Sequence, residues 1–150
     1  ASNHNWVSAI SALAECKLVV GPIDDVIPVQ EQALRLSPRD PLLSNMYGRI
    51  GFAHLWQSRT DEAIIWLEKA RDANPARFPP HSALAAAYAL KGETERAAAE
   101  LAEARRLVGD DRYSSIARLR ATANWFAPNI QALREATFFV GLRKAGVPEE

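Results

Sequence analysis

A single cysteine, Cys16, among 150 residues excludes an internal disulfide, so nothing in the chain points to an oxidising compartment. Long apolar runs are missing as well. None approaches the roughly 20 residues that a helix needs to cross a bilayer. The opening ASNHNW lacks the basic and apolar blocks of a signal peptide. Charge of either sign is not in excess: 18 Lys and Arg offset 18 Asp and Glu, which leaves no long-range field to draw nucleic acid or an anionic membrane. A cytoplasmic location is the simplest expectation. The chain starts at Ala1 rather than methionine, and a fragment or processed product is expected.

The residue constellations of catalysis are also missing. No G-x4-G-K-[ST] phosphate loop occurs, and the glycines stand where helices should stop. His4, His54 and His81 lie far apart, and none belongs to an H-x3-H pair or a cysteine cluster. Cys16 has no partner base nearby in sequence and falls on the apolar stripe of the first helix, so a buried, inert thiol is expected. The acid pairs Asp24–Asp25, Asp61–Glu62 and Asp110–Asp111 all stand near helix starts, where the helix dipole favours them. Arg105, Arg106, Arg112, Arg118 and Arg120 are interleaved with Glu100, Glu103, Asp110 and Asp111, which reads as an ion-paired solvated face rather than a nucleic-acid patch. No catalytic residue, metal site or cofactor is expected.

What the chain does contain is helix-forming sequence, rich in Ala, Leu, Glu and Arg, with almost no β-branched alternation. Helices are expected over about 5–20, 23–37, 42–57, 60–73, 79–91, 94–107 and 112–124, and one from Pro128 to Lys144. Gly21–Pro22, Gly92, Gly109 and Gly146 punctuate them, and Thr60 and Thr94 stand where N-caps belong. Pro28 fits only if it occupies a first turn or the helix starts later.

A 34-residue echo organises the centre. Tyr47, Ile50, Gly51, His54, Ala63, Leu67, Ala70 and Pro75 recur as His81, Leu84, Ala85, Tyr88, Ala97, Leu101, Ala104 and Gly109. Large and small residues return in the same order, as in a helical hairpin that cannot bury its apolar face alone and stacks on its copies. A weaker copy precedes these two, with Ile10, Leu13, Ala14, Ala33 and Pro38 at matching places.

These residues resemble the tetratricopeptide repeat family over about 7–109. Tyr47 stands where the family often has Trp, and Tyr88 keeps the Tyr that His54 replaces. The stretches ALRLSPRDP (33–41), FPPHSALAAAYALKGETERA (78–97) and GLRKAGVPEE (141–150) look like the C-terminal repeat region of bacterial proteins that carry a class III adenylate/guanylate cyclase or a winged-helix regulator domain. The resemblance implies an all-α fold: a right-handed α-α superhelix of about three helix pairs (about 7–40, 44–77 and 78–111) with C-terminal capping helices over about 112–150. It also implies a non-catalytic protein-interaction or scaffold module, the docking or regulatory part of a larger signalling protein. Homodimerisation and small-ligand sensing are the alternatives.

In such a stack the first helix of each pair lines the concave side. The inward positions include Asn45, Arg49, Phe52 and Trp56 in the second pair, with Ser82 and Ala86 in the third. This surface is small and apolar, unlike a basic clamp for a terminal carboxylate. A peptide or partner segment can lie there with Phe52 and Trp56 as anchors, or the chain's own C-terminal helix can fill the same groove. The last helix has a wide apolar face that suits a cap, while Phe138 and Phe139 are the candidates for self-association.

Overall fold

The computed structural model describes residues 2–150, with side chains from Asn5 onward. The His4 side chain therefore lies outside the described residues. Among those described, every regular element is helical. Helix α1 (Ser2–Val20) is followed by a short 3-10 turn that leads into α2 (Val26–Leu36). Then come α3 (Leu43–Trp56), α4 (Thr60–Ala73), α5 (Phe78–Leu90) and α6 (Thr94–Val108). Pro28 occupies the first turn of α2, where its missing N–H removes no helical bond.

Consecutive helices pack in pairs, α1 on α2, α3 on α4 and α5 on α6, and each pair meets the next through α2–α3 and α4–α5. Small residues set the spacing. A β-carbon on Gly51 would lie 2.6 Å from Leu67 Cγ, so α3 and α4 approach more closely than any larger residue permits. Ala63, Leu67 and Ala70, with their counterparts Ala97, Leu101 and Ala104, are all buried.

The turns that close α3 and α5 carry the same hydrogen bonds 34 residues apart. Gln57 N donates to Ala53 O, Ser58 N to Leu55 O and Arg59 N to His54 O; Lys91 N, Gly92 N and Glu93 N donate to Ala87 O, Ala89 O and Tyr88 O. Gly92 takes φ +79°, and Ser58 takes φ 64° at the same place. This tight reversal makes Arg59 and Glu93 the capping residues, so Thr60 and Thr94 become the first helical residues rather than caps. Neither of these helix starts has a side-chain cap.

Cys16 is exposed, contrary to the expectation of burial. Helix α1 buries the stripe of Val7, Ser11, Ala14 and Leu18, while Cys16 falls on the outward stripe with Trp6, Leu13 and Val20.

The C-terminal region departs most from expectation. A 3-10 turn precedes α7 (Ile116–Thr122), whose N-terminus is capped by Ser115 Oγ accepting from Arg118 N at 3.0 Å. The expected single helix from Pro128 to Lys144 is two, α8 (Pro128–Ala136) and α9 (Phe138–Ala145). Thr137 breaks it: its backbone leaves the helical region at φ −127°, ψ −72°, and its hydroxyl donates to Leu133 O at 2.7 Å. The break lets α8 and α9 fold back over the solenoid. Ala127 N donates to Val19 O at 3.0 Å, which ties the start of α8 to the end of α1. Helix α9 lies along α5. The last residues return to α7, where Ile116 N donates to Pro148 O at 2.8 Å and Ala117 N to Glu149 O at 3.0 Å.

Candidate functional site

The concave side of α1, α3 and α5 is thus covered by the chain's own C-terminal segment. Phe138 meets Phe52 edge-on with ring centroids 6.1 Å apart, and Phe126 meets Trp56 edge-on at 5.6 Å. Phe138 and Phe139 are 3% and 0% exposed, so the expected self-association surface is inside the molecule. Ala86 lies beneath α9 at Gly141 rather than in an open groove. Trp56 is 3% exposed and holds up the α7–α8 connection, so a free helix or strand finds no room on it.

The groove is not filled completely. A partly open cavity of about 320 Å³ remains between the solenoid and the C-terminal segment. Leu18, Val19, Asn45, Arg49, Phe52 and Trp56 form one wall. Arg77, Phe78, Ser82 and Tyr113 form the floor, and Leu119, Phe126, Arg134 and Phe138 close over them. The structure therefore brings Asn45, Arg49, Phe52, Trp56 and Ser82 together around one space and leaves Ala86 outside it. Trp125, 60% exposed, stacks on Phe126 at the cavity's rim with the exposed Glu15.

Among the charged residues of the lining, cations predominate: Arg49, Arg77, Arg112 and Arg134 against Glu15. Two of them are paired. Arg49 bridges to Glu15 at 3.2 Å and also donates to the buried Gln30 at 3.1 Å. Arg112 bridges to Asp110 at 2.8 Å and stands over the Phe78 ring. Arg77 has a neutral partner, Ser44 Oγ at 2.9 Å, and burial and then the Arg49 charge depress its affinity for a proton. Tyr113 is pushed up to about 12 by burial, so its hydroxyl stays protonated.

Arg134 is the unusual one. It is 5% exposed, with no carboxylate within ion-pair distance among the described residues. Its guanidinium carbon lies 4.1 Å from the Phe126 ring centroid, 5.2 Å from that of Phe139, 5.6 Å from that of Trp56 and 5.7 Å from that of Phe138. Four ring faces partly replace the lost hydration. Burial still lowers its pKa to about 10, a cost of about 3 kcal/mol while the group stays charged at neutral pH. One terminal nitrogen donates to Gln131 Oε1 at 2.9 Å, while Nε has no partner. Trp56 Nε1 beside it has none either. Buried donors are normally satisfied, and each one left unpaired costs about 1–3 kcal/mol.

Arg134, Tyr113, Arg77 and Phe126 were not among the residues expected from the sequence. For Arg134 the signal was present: it sits between Ile130 and Phe138 at four-residue spacing, a charge inside an apolar stripe.

Other polar clusters are spoken for. His81 Nδ1 faces Glu100 Oε2 at 2.6 Å and its Nε2 faces Pro75 O at 2.8 Å, while Glu100 also accepts from Arg71 at 2.7 Å. His54 Nδ1 accepts from Arg59 Nε at 2.9 Å. Arg106, Arg118 and Arg120 pair with Glu103, Asp111 and Glu135. Among the described residues no three His, Cys, Asp or Glu side chains come together to hold a metal. No described helix is long and apolar enough to cross a membrane. No family model matches the chain, and no curated protein matches it.

Proposed function

We propose that this chain is a non-catalytic regulatory module: a tetratricopeptide-like superhelix that binds a small ligand in the cavity under its own C-terminal hairpin. One observation carries the reading. Cavities that bind small molecules are concave, mostly apolar and supplied with a few placed polar groups, at volumes from about 300 Å³ upward. The space between α3, α5 and the α7–α9 segment has each of these properties.

The proposal replaces capture of a peptide in the groove, because the hairpin already lies where the peptide would. A ligand in this cavity touches the solenoid on one side and α7–α9 on the other. Occupancy therefore ties the two together and stabilises their present arrangement by mass action. That is a way for a module inside a larger cytoplasmic signalling protein to report a metabolite. The resemblance to repeat regions that follow cyclase or winged-helix domains supports such a setting, and the coding sequence upstream of Ala1 tests it: neither domain there removes the setting.

A thermal-shift screen of small organic compounds tests the binding. Active compounds should raise the unfolding midpoint in proportion to dose in wild type and fail to do so in Val19→Trp, which fills the cavity from the α1 side. A screen without any such compound would refute ligand binding here.

A further inference from the structure

The cavity's donors constrain what it takes. Arg134 lines the cavity, 5% exposed and with no carboxylate partner among the described residues, and its guanidinium lies 5.6 Å from the Trp56 ring. A guanidinium cannot accept a hydrogen bond; it can only donate. Arg77 adds a second cation without a carboxylate partner, and the acid at the rim, Glu15, is mostly exposed and already engaged by Arg49. A cationic ligand would meet four arginines. A purely apolar one would leave the buried Arg134 charge without a counter-ion.

We infer that the ligand is a small organic acid, carboxylate or phosphate, whose anionic group is held by the guanidinium of Arg134 and whose apolar body packs against Phe52, Leu119 and Phe126. The acid's charge offsets the buried guanidinium, and its oxygens accept charge-assisted hydrogen bonds from the terminal nitrogen of Arg134 that Gln131 does not engage. The volume sets the size of the body. About 320 Å³ is roughly twice the ~150 Å³ cavity that accommodates benzene, so a body of one to two rings or a medium alkyl chain fits. Inorganic phosphate alone lacks the body and should bind weakly. The inference rests on the cavity being a ligand site and adds the charge and size of what enters it.

Titration calorimetry with matched probes separates the two. The probes are the carboxylate, phosphate monoester, alcohol and ammonium forms of phenyl, naphthyl and octyl bodies, with sodium phosphate as the bodiless anion. For the body that binds best, the carboxylate or phosphate should bind at least about ten-fold more tightly than the alcohol, and the ammonium should bind more weakly than either. Arg134→Met, close in length and apolar, should erase that preference while leaving alcohol affinity within about two-fold and the unfolding midpoint undiminished. A purely structural arginine predicts the opposite: a large fall in midpoint and no selective loss. Arg134→Lys keeps a charge but loses the planar fork, and should retain only part of the preference. Equal wild-type affinity for acid and alcohol overturns the acid inference and leaves a neutral-ligand cavity standing. If none of the probes binds wild type, the cavity reading falls with it.

Discussion

Gly141 and Ala86 touch backbone to backbone: a β-carbon on Gly141 would lie 2.5 Å from the Ala86 carbonyl oxygen and 2.7 Å from its methyl. The contact fixes how deeply α9 sits in the groove. Ala86 follows Phe52 by 34 positions in the repeat, so the smallest side chain of that inward column is where the C-terminal helix comes closest.

Gly141→Ala should therefore lift α9. The opposing atoms are main chain and cannot swing aside, so the overpacking cost is expected at about 1–3 kcal/mol. Urea unfolding should show a lower midpoint, and tryptophan emission should shift to the red as Trp56 gains water. An unchanged midpoint would mean that α9 is free to ride up without loss.

The matched turns at Ser58 and Gly92 allow a paired test. Ser58 holds φ 64°, a region that costs an L-residue roughly 1–2 kcal/mol. Ser58→Gly should raise stability by about 0.5–1 kcal/mol after glycine's own entropy is counted. Gly92→Ala should lower it by about 1 kcal/mol or more, although no atom stands within 4 Å of the added carbon. Denaturant midpoints of the two variants should move in opposite directions; movement in the same direction would separate the two turns.

His54 gives the fold a mild acid sensitivity. Burial, and then the neighbouring Arg59 guanidinium, hold its pKa below the ordinary 6.5. The unfolded chain thus takes up the proton more readily than the folded one. The associated stability is complete above pH 6.5 and is lost as pH falls through and below it. Between pH 7 and 5 the urea midpoint of wild type should fall more than that of His54→Gln, whose amide oxygen can accept the Arg59 bond in its place. Identical pH slopes would remove His54 as the cause.

Much of the fold was legible because it repeats. The 34-residue echo located the α3–α4 and α5–α6 hairpins, and Gly92 and Gly109 placed the ends of α5 and α6, since helix periodicity and left-handed glycines are local signals. The inward column Asn45, Arg49, Phe52, Trp56 and Ser82 was implied by the resemblance to the tetratricopeptide repeat family. What was not legible is tertiary. No local feature marks Thr137 as a break, because threonine is tolerated within helices and leaves only when its hydroxyl and the packing on both sides reward it. Phe138 and Phe139 read first as part of a capping face and, as the alternative, as an exposed patch for self-association; only the fold-back over α5 decides between them. Arg134 was readable in principle as a charge among apolar neighbours, yet its meaning depends on four rings drawn from α3, α8's approach and α9.

The return of Pro148 and Glu149 to the amides of Ile116 and Ala117 has a practical corollary. The helix that roofs the cavity is started by residues about thirty positions further along the chain. Clipping those residues, or straining them with a fused tag or fluorophore, would loosen the roof from a distance, so reporters for binding studies belong elsewhere, with the solvent-facing thiol of Cys16 as the ready attachment point.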